Sequence, residues 1–320
     1  SDVYKRQVID IMTTIPQRWK LLIVGASGFI GMKLAERAAQ DCQVWGTYKA
    51  RGSRLAPVSE ALSRVSWQQL DVADVATARG LLADIRPDVV VHLAATAAVE
   101  QADKQEEVYG VNMDGTVNMV RACEAIGAFL IFFSTDYVFD GLAGPYAEDA
   151  VPTPINAYGR QKLAAEEIVR KSAVPHLIVR TSMVYGWPAL HHHLNFAATV
   201  IHRLRQGQPF TAYTDMIRTP IYVGDLVDVL VQFIKRQATG LYHVGSKNAI
   251  SMYEFALSIG DVFGLGRSLI VAATSVPHGS VSRPRRCGLR TDKASGDFGI
   301  RFPTTLEGLH RMKEQEPSYG

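Results

Sequence analysis

Cysteine is scarce. The 320 residues hold three, Cys42, Cys123 and Cys287, and no two are closely spaced. They form neither a zinc pattern nor a disulfide framework, so a reducing, cytoplasmic setting is expected. No apolar run approaches the roughly 20 residues of a membrane span, and the N-terminus lacks an apolar signal-peptide core. A membrane is therefore not an expected partner. Neither sign of charge dominates: 34 basic and 31 acidic residues leave +3. That is too balanced for nucleic acid to be the main partner. Repeats and low-complexity tracts are lacking too. With charged residues at only 20% and hydrophobic residues at 47%, a solvated disordered chain is excluded. At about 150 residues per domain, the length allows roughly two domains with a sizeable core. Residues 1–18 are mixed in character and are expected to form a leader outside the fold, with Met12 a candidate start.

What the chain does carry is a strand–helix rhythm. Lys20 to Val24 is apolar without alternation, the mark of a strand buried on both faces of a parallel sheet. Further strands are predicted at 44–48, 67–70, 89–93, 129–133 and 177–179, with helical patterns at 29–40, 74–84, 113–126 and 157–171. This alternation predicts right-handed βαβ crossovers and a doubly wound, Rossmann-type α/β fold. After Arg180 the rhythm changes. A helix is predicted at 195–206, a helix capped by Asp225 running to about 236, a strand at 241–244 and a helix at 251–263. A loop rich in Pro, Gly, Arg and Ser covers 277–288. The expected division is a dinucleotide-binding domain over 19–182 and a smaller C-terminal substrate-binding region over 183–320, partly interleaved with it.

Gly25-Ala26-Ser27-Gly28-Phe29-Ile30-Gly31 follows the first strand and opens the first helix. The three glycines suit a tight turn, close approach to a pyrophosphate and close helix–strand packing. The helix N-terminus offers free N–H groups to the anion. A dinucleotide is the expected cofactor. An NAD site usually places a carboxylate about 20 residues on. Here the second strand runs into Tyr48-Lys49-Ala50-Arg51, with no carboxylate and two cations. Lys49 and Arg51 suit a 2′-phosphate, so NADPH is expected, with NADH possible; the alternative is that both cations face solvent. Asp71 and Val72 after the third strand, and Leu93, Ala94 and Ala95 after the fourth, complete the expected cofactor contacts.

Tyr158 and Lys162, at i and i+4, share one helix face, with Asn156 placed to cap it. A free phenol has a pKa near 10 and is a poor proton donor at neutral pH. A cation about 4 Å away favours phenolate by about 4 kcal/mol at an effective dielectric near 20, or about three pK units. Tyr158 is thus expected to be tuned toward neutrality for general acid work. The fifth strand ends in Ser134-Thr135, where Thr135 can donate to a substrate carbonyl oxygen. Behind a dinucleotide loop, Thr135, Tyr158 and Lys162 are the parts for hydride transfer.

In order along the chain stand Gly25 to Gly31, Val91-His92-Leu93-Ala94-Ala95, Val111-Asn112, Ser134-Thr135-Asp136-Tyr137-Val138-Phe139-Asp140-Gly141 and Tyr158 to Lys162. Together they resemble an extended short-chain dehydrogenase/reductase. The string from Ser134 to Gly141 is narrower and resembles the dTDP-4-dehydrorhamnose reductase-like, or sugar-nucleotide-binding, branch. Supporting strings are Ala98 to Asp103, Arg180-Thr181-Ser182-Met183-Val184-Tyr185-Gly186, Arg218-Thr219-Pro220 and Arg283-Pro284. The resemblance spans about residues 19–312. It implies that Thr135, Tyr158 and Lys162 are catalytic, that Asn112 supports a proton relay, and that a keto group on a nucleotide-linked deoxysugar is reduced by NADPH or NADH. Substrate contacts are expected at Thr96, Asp136, Val138, Met183, Asn195, Arg218 and Arg283. Family reductases often carry Trp at the place of Met183, so the sugar is left open. Tyr137 stands where related dehydratases place Glu, which disfavours dehydration and puts carbonyl reduction ahead of epimerisation.

His191-His192-His193 cannot all face one ion, and no nearby carboxylate pattern completes a site, so no metal is expected. Arg283, Arg285, Arg286 and Arg290 form a cationic cluster that suits a substrate diphosphate; the alternative is a solvated loop. Helices 113–126 and 157–171 are candidates to pair across a two-fold axis, giving a homodimer. The competing functions are a non-catalytic regulatory subunit of another enzyme and a nucleotide-sugar epimerase.

Overall fold

The computed structural model describes residues 19–49, 59–96, 106–189, 193–275 and 282–317. The expected leader, Arg51, Ala98 to Asp103, His191 and His192 lie outside the described residues.

Strand β1 (Lys20–Val24) enters the glycine turn and helix α1 (Phe29–Ala38). Then come β2 (Gln43–Tyr48), β3 (Ser66–Gln69), α2 (Val75–Ile85) and β4 (Val89–His92). A π-helical turn, Gly110–Asp114, leads into α3 (Gly115–Ile126), followed by β5 (Phe129–Thr135), α4 (Ala157–Lys171) and β6 (His176–Thr181). Beyond these lie α5 (Phe196–Arg205), α6 (Val223–Arg236), β7 (Gly240–Val244), α7 (Met252–Phe263), α8 (Asp292–Phe298) and α9 (Thr305–Glu314). β1 to β7 form one parallel sheet in the order β7-β6-β5-β4-β1-β2-β3. The order reverses between β1 and β4, and in such sheets the crevice at the carboxyl ends of those strands takes the ligand.

The unalternated sequence of β1 has the physical cause expected of it. Leu21 and Ile23 pack on one face, against α1 and α6; Leu22 and Val24 pack on the other, against α2, α3 and α4. Side chains terminate the helices as the sequence allows. Asp74 Oδ1 accepts from Ala76 N at the start of α2, Asn156 caps α4, and Ser251 and Thr304 form capping boxes on α7 and α9. A third apolar cluster, with Tyr185, Ile201, Phe255 and Leu309, lies outside the sheet and is built from α5, α7 and α9. The C-terminal region is interleaved: β7 extends the main sheet, α6 packs on α1, and α8 packs on β7.

Two local expectations change. Asp225 is not the cap of its helix. The short strand Ile221–Tyr222 runs straight into α6, so Asp225 falls in the first turn, buried, with Arg311 at 2.7 Å. The helix predicted from 113 starts as the π-helical turn, which places Asn112 inward. α3 and α4, the helices proposed to pair between copies, lie side by side on the same sheet face.

Candidate active site

A cavity of about 270 Å³ opens at the carboxyl ends of β1, β2 and β4. It is lined by Gly25, Ser27, Gly28, Thr47, Tyr48, Lys49, Leu70, Asp71, Val72, Leu93, Ala94, Ala95, Thr96 and Val111. Gly25 has φ +86°, and a Cβ there would meet Ala94 N at 2.8 Å, so the turn and β4 approach as closely as glycine permits. Gly31 packs the first turn of α1 onto Gly25 and Ala26. Phe29 and Ile30 do not line the cavity; their side chains pack against the third cluster and the first sheet face, respectively. Thr47, not singled out from the sequence, fixes the turn by accepting from Gly25 N at 2.9 Å, while its carbonyl accepts from Ser27 N. A hydroxyl residue near the end of the second strand was the available signal. Lys49 is not alone: Asp71 comes from the end of the adjacent β3 and pairs with it at 3.3 Å, both half-exposed. The missing carboxylate of the second strand is thus supplied by the third.

Thr135 closes β5, and Tyr158 and Lys162 project from the first turns of α4. Asn156 Oδ1 accepts from Gly159 N at 2.8 Å, and its amide donates to Ser282 O at 3.0 Å, tying the cap to the arginine loop. The Thr135 hydroxyl lies beside the Tyr158 phenol and favours its ionised form, against burial. Tyr137 meets the Tyr158 ring edge-on at 5.9 Å. Lys162 is buried, its ammonium 4.1 Å from the centre of the Phe132 ring. Burial pulls its pKa down from 10.5 to about 7, with Glu166 opposing. The expected lowering of the phenol is not found. Burial, and then the charge of Asp136, push Tyr158 above the ordinary phenol range, because the ammonium faces Phe132 while a carboxylate faces the phenol. His92 sits beside Lys162 against Phe132, pushed down to about 3 by burial and by the lysine charge.

Asn112 is buried beside the cavity wall. Its Oδ1 accepts from Thr96 N at 2.9 Å, and its amide donates to Thr96 O at 3.3 Å and Gln161 Oε1 at 2.9 Å. It staples the cavity wall to α4.

Several residues expected to touch substrate are buried or bonded within the chain. Val138 is fully buried with Phe139, Cys287 and Leu289. Asp136 is buried and accepts from Ser182 Oγ at 2.7 Å and Thr135 Oγ1 at 3.2 Å. Burial raises its pKa, with Arg218, Ser182 and Thr135 pulling against it. Arg218 is buried as well. Its Nη1 donates to Ile217 O and Arg285 O, its Nη2 donates to Pro284 O, and its Nε lies 3.6 Å from Asp136. It clamps the 284–285 loop from beneath. Asn195 caps α5, accepting from Ala198 N and donating to Gly186 O. Gly141 brings the two family strings together: at φ +76°, a Cβ would meet Pro284 Cβ at 2.5 Å. Met183 is half-buried against the third cluster, and Arg283 is exposed on the loop.

The parallel sheet, the glycine turn at its switch point and the Thr135–Tyr158–Lys162 group at its carboxyl edge define a Rossmann-type protein like the extended short-chain dehydrogenases/reductases. Residues 19–317 match the model of the RmlD substrate binding domain, and the chain belongs to that family. Methionine adenosyltransferase 2 subunit beta from Xenopus tropicalis is 30% identical over 286 residues, covering 87% of this chain and 82% of that protein. A dTDP-4-dehydrorhamnose reductase from Sinorhizobium fredii is 28% identical over 307 residues, covering 92% and 96%. The crystal structure of dTDP-4-dehydrorhamnose reductase from Bacillus anthracis in complex with NADP matches with a TM-score of 0.80 at 26% identity, covering 93% of this chain and 100% of that one.

Proposed function

We propose that this chain reduces a keto group on a nucleotide-linked deoxysugar, preferring NADPH and accepting NADH. The observation that carries this is the convergence of Thr135, Tyr158 and Lys162 at the sheet edge. The glycine cavity fits a dinucleotide. Gly28 and the amides opening α1 would hold the pyrophosphate, and Ala94 and Ala95 leave room beside it. Lys49 offers a cation to a 2′-phosphate, and Asp71 beside it offers an acceptor to an unmodified ribose. When bound, the dinucleotide supplies the hydride to the carbonyl carbon.

Within the chain, Thr135 turns its hydroxyl from Asp136 to the carbonyl oxygen. Tyr158, kept protonated by its raised pKa, gives that oxygen its phenolic proton. For the Lys162 ammonium to stabilise the phenolate left behind, it must swing from the Phe132 ring along their shared helix face. The region from Met183 onward, with Met183 and Arg283, is assigned to the nucleotide sugar, together with Thr96 of the cavity wall. NADPH oxidation with a panel of nucleotide 4-keto sugars tests this, with Tyr158→Phe as the control: turnover should be lost and cofactor binding kept. Substantial residual turnover would remove Tyr158 from the mechanism.

The Xenopus relative, named as a subunit of a different enzyme, favours a second role, that of a dinucleotide-binding partner. A pull-down that captures a partner enzyme, together with no NADPH oxidation on any sugar of the panel, would select it.

A further inference from the structure

The exposed Arg283 is bracketed by two buried side chains, Asn156 and Arg218, each 3% exposed. Asn156 Nδ2 donates to the carbonyl before it, Ser282 O, at 3.0 Å. Arg218 Nη2 donates to the carbonyl after it, Pro284 O, at 2.6 Å. Each of the two also reaches the chemical group. Arg218 Nε lies 3.6 Å from Asp136, whose Oδ1 accepts from the Thr135 hydroxyl at 3.2 Å. Asn156 Oδ1 accepts at 2.8 Å from the N–H of Gly159, the neighbour of Tyr158.

Downstream of Arg283 the loop is also held through its backbone. Ile217 N donates to Arg285 O at 2.7 Å, Arg286 N to Gly141 O at 2.8 Å and Cys287 N to Ile217 O at 3.1 Å. On the upstream side the bond comes from Asn156, 126 positions earlier in the chain. The end of α4 to which Asn156 belongs is itself fixed. Gly159 sits so close to the turn after β5 that a Cβ there would lie 2.1 Å from Tyr137 O. A helix cap needs only an acceptor, and Asn, Asp and Ser serve about equally well. Asparagine adds an amide donor beyond the cap, and here that donor holds the arginine loop.

We propose that Asn156 is a positioning residue that holds Arg283 at a fixed span from Tyr158, so that a nucleotide sugar gripped by its diphosphate presents its carbonyl to the phenol. The proposal rests on the assignment of Arg283 to the nucleotide sugar and of Tyr158 as proton donor. A shift of about 1 Å between reacting groups can lower a rate by on the order of a hundredfold. Slack in the loop therefore acts on kcat more than on binding.

Asn156→Ser separates the two bonds: the shorter hydroxyl still caps α4 but withdraws from Ser282 O. A nitroxide on Ser282→Cys, with the half-exposed Cys42 replaced by serine, reports the loop by electron paramagnetic resonance. Turnover of nucleotide 4-keto sugars reports the span. Asn156→Ser should mobilise the nitroxide and lower kcat by about ten- to a hundredfold, with KM, dinucleotide affinity and Tm close to wild type. Asn156→Asp also caps the helix but puts an acceptor before Ser282 O. It should behave in the same way, and it carries the test if the serine variant does not fold. Where the wild type turns over a sugar, an unchanged kcat in the folded variant overturns the proposal and leaves the reductase reading standing. A fall in kcat matched by equal losses of cofactor affinity and Tm also overturns it, since a cap with only a structural role would give that result. A wild type that turns over no sugar, with the nitroxide mobilised in the variant, removes the reductase reading and leaves the Asn156 tie. An unmoved nitroxide overturns the tie in either case.

Discussion

Arg218→Met separates an internal clamp from a ligand contact. The arginine side chain is 3% exposed and donates to the carbonyls of Ile217, Arg285 and Pro284 at 2.8, 2.9 and 2.6 Å. It also lies 3.6 Å from the buried carboxylate of Asp136. Removing one partner of a buried pair costs about 3–5 kcal/mol, and each buried carbonyl left unpaired adds about 1–3 kcal/mol unless water reaches it. Water can follow the cut side chain to the 284–285 loop, so a net loss of about 3–5 kcal/mol is expected in urea unfolding at neutral pH. The loss should shrink in acid. Burial already raises the Asp136 pKa against the pull of Arg218. Without Arg218 the carboxyl protonates more readily still, and the cost of its buried charge disappears as pH falls through its folded pKa. Asp136→Asn in the same background should remove most of that pH dependence. A variant of wild-type stability whose only defect is a raised KM for the nucleotide sugar would refute the clamp and return Arg218 to the ligand.

Other outcomes follow from single contacts. Asp71→Asn removes the carboxylate 3.3 Å from Lys49 and should shift the ratio of NADPH to NADH affinity toward NADPH by several-fold, with Lys49→Glu reversing the preference; fluorescence titration of both cofactors reads it. Lys162, with a folded pKa of about 7 against 10.5, binds its proton less readily folded than unfolded. Lys162→Met should therefore be the more stable protein at and below pH 7, and the difference should vanish as pH approaches 10.5, as followed by urea unfolding. Gly141→Ala places a methyl group at positive φ against Pro284, and should cost about 1–3 kcal/mol and loosen the arginine loop, measurable by thermal unfolding and proteolysis of that loop.

Most of the architecture was legible because burial leaves a plain mark on strands. Leu21 to Val24 must be apolar on both sides, and helices such as α4 announce themselves through Asn156 and its apolar spacing. The glycine turn was legible for the same reason, since the close approach at Gly25 excludes a side chain. What could not be read was the partner of each polar residue. Nothing local says that Asp71 will meet Lys49 across two strands, or that Arg218 will spend its donors on carbonyls 66 and 67 residues away. Val138 lies in a family string, and nothing local says that the short helical turn after β5 puts it in the core. The tuning of Tyr158 failed in the same way. The i+4 spacing places Lys162 on the right face, but the direction of its ammonium is set by Phe132, on another element.

The central claim is that Tyr158 hands a proton to a carbonyl oxygen while a dinucleotide supplies the hydride. Its most direct measurement is NADPH oxidation by the wild-type chain and by Tyr158→Phe on nucleotide-linked 4-keto sugars, with cofactor affinity recorded for both. The account predicts turnover in the wild type, a loss of about 10²–10⁴ in the variant and nearly equal cofactor affinity. Oxidation on no sugar of the panel, or equal rates in the two proteins, would contradict it.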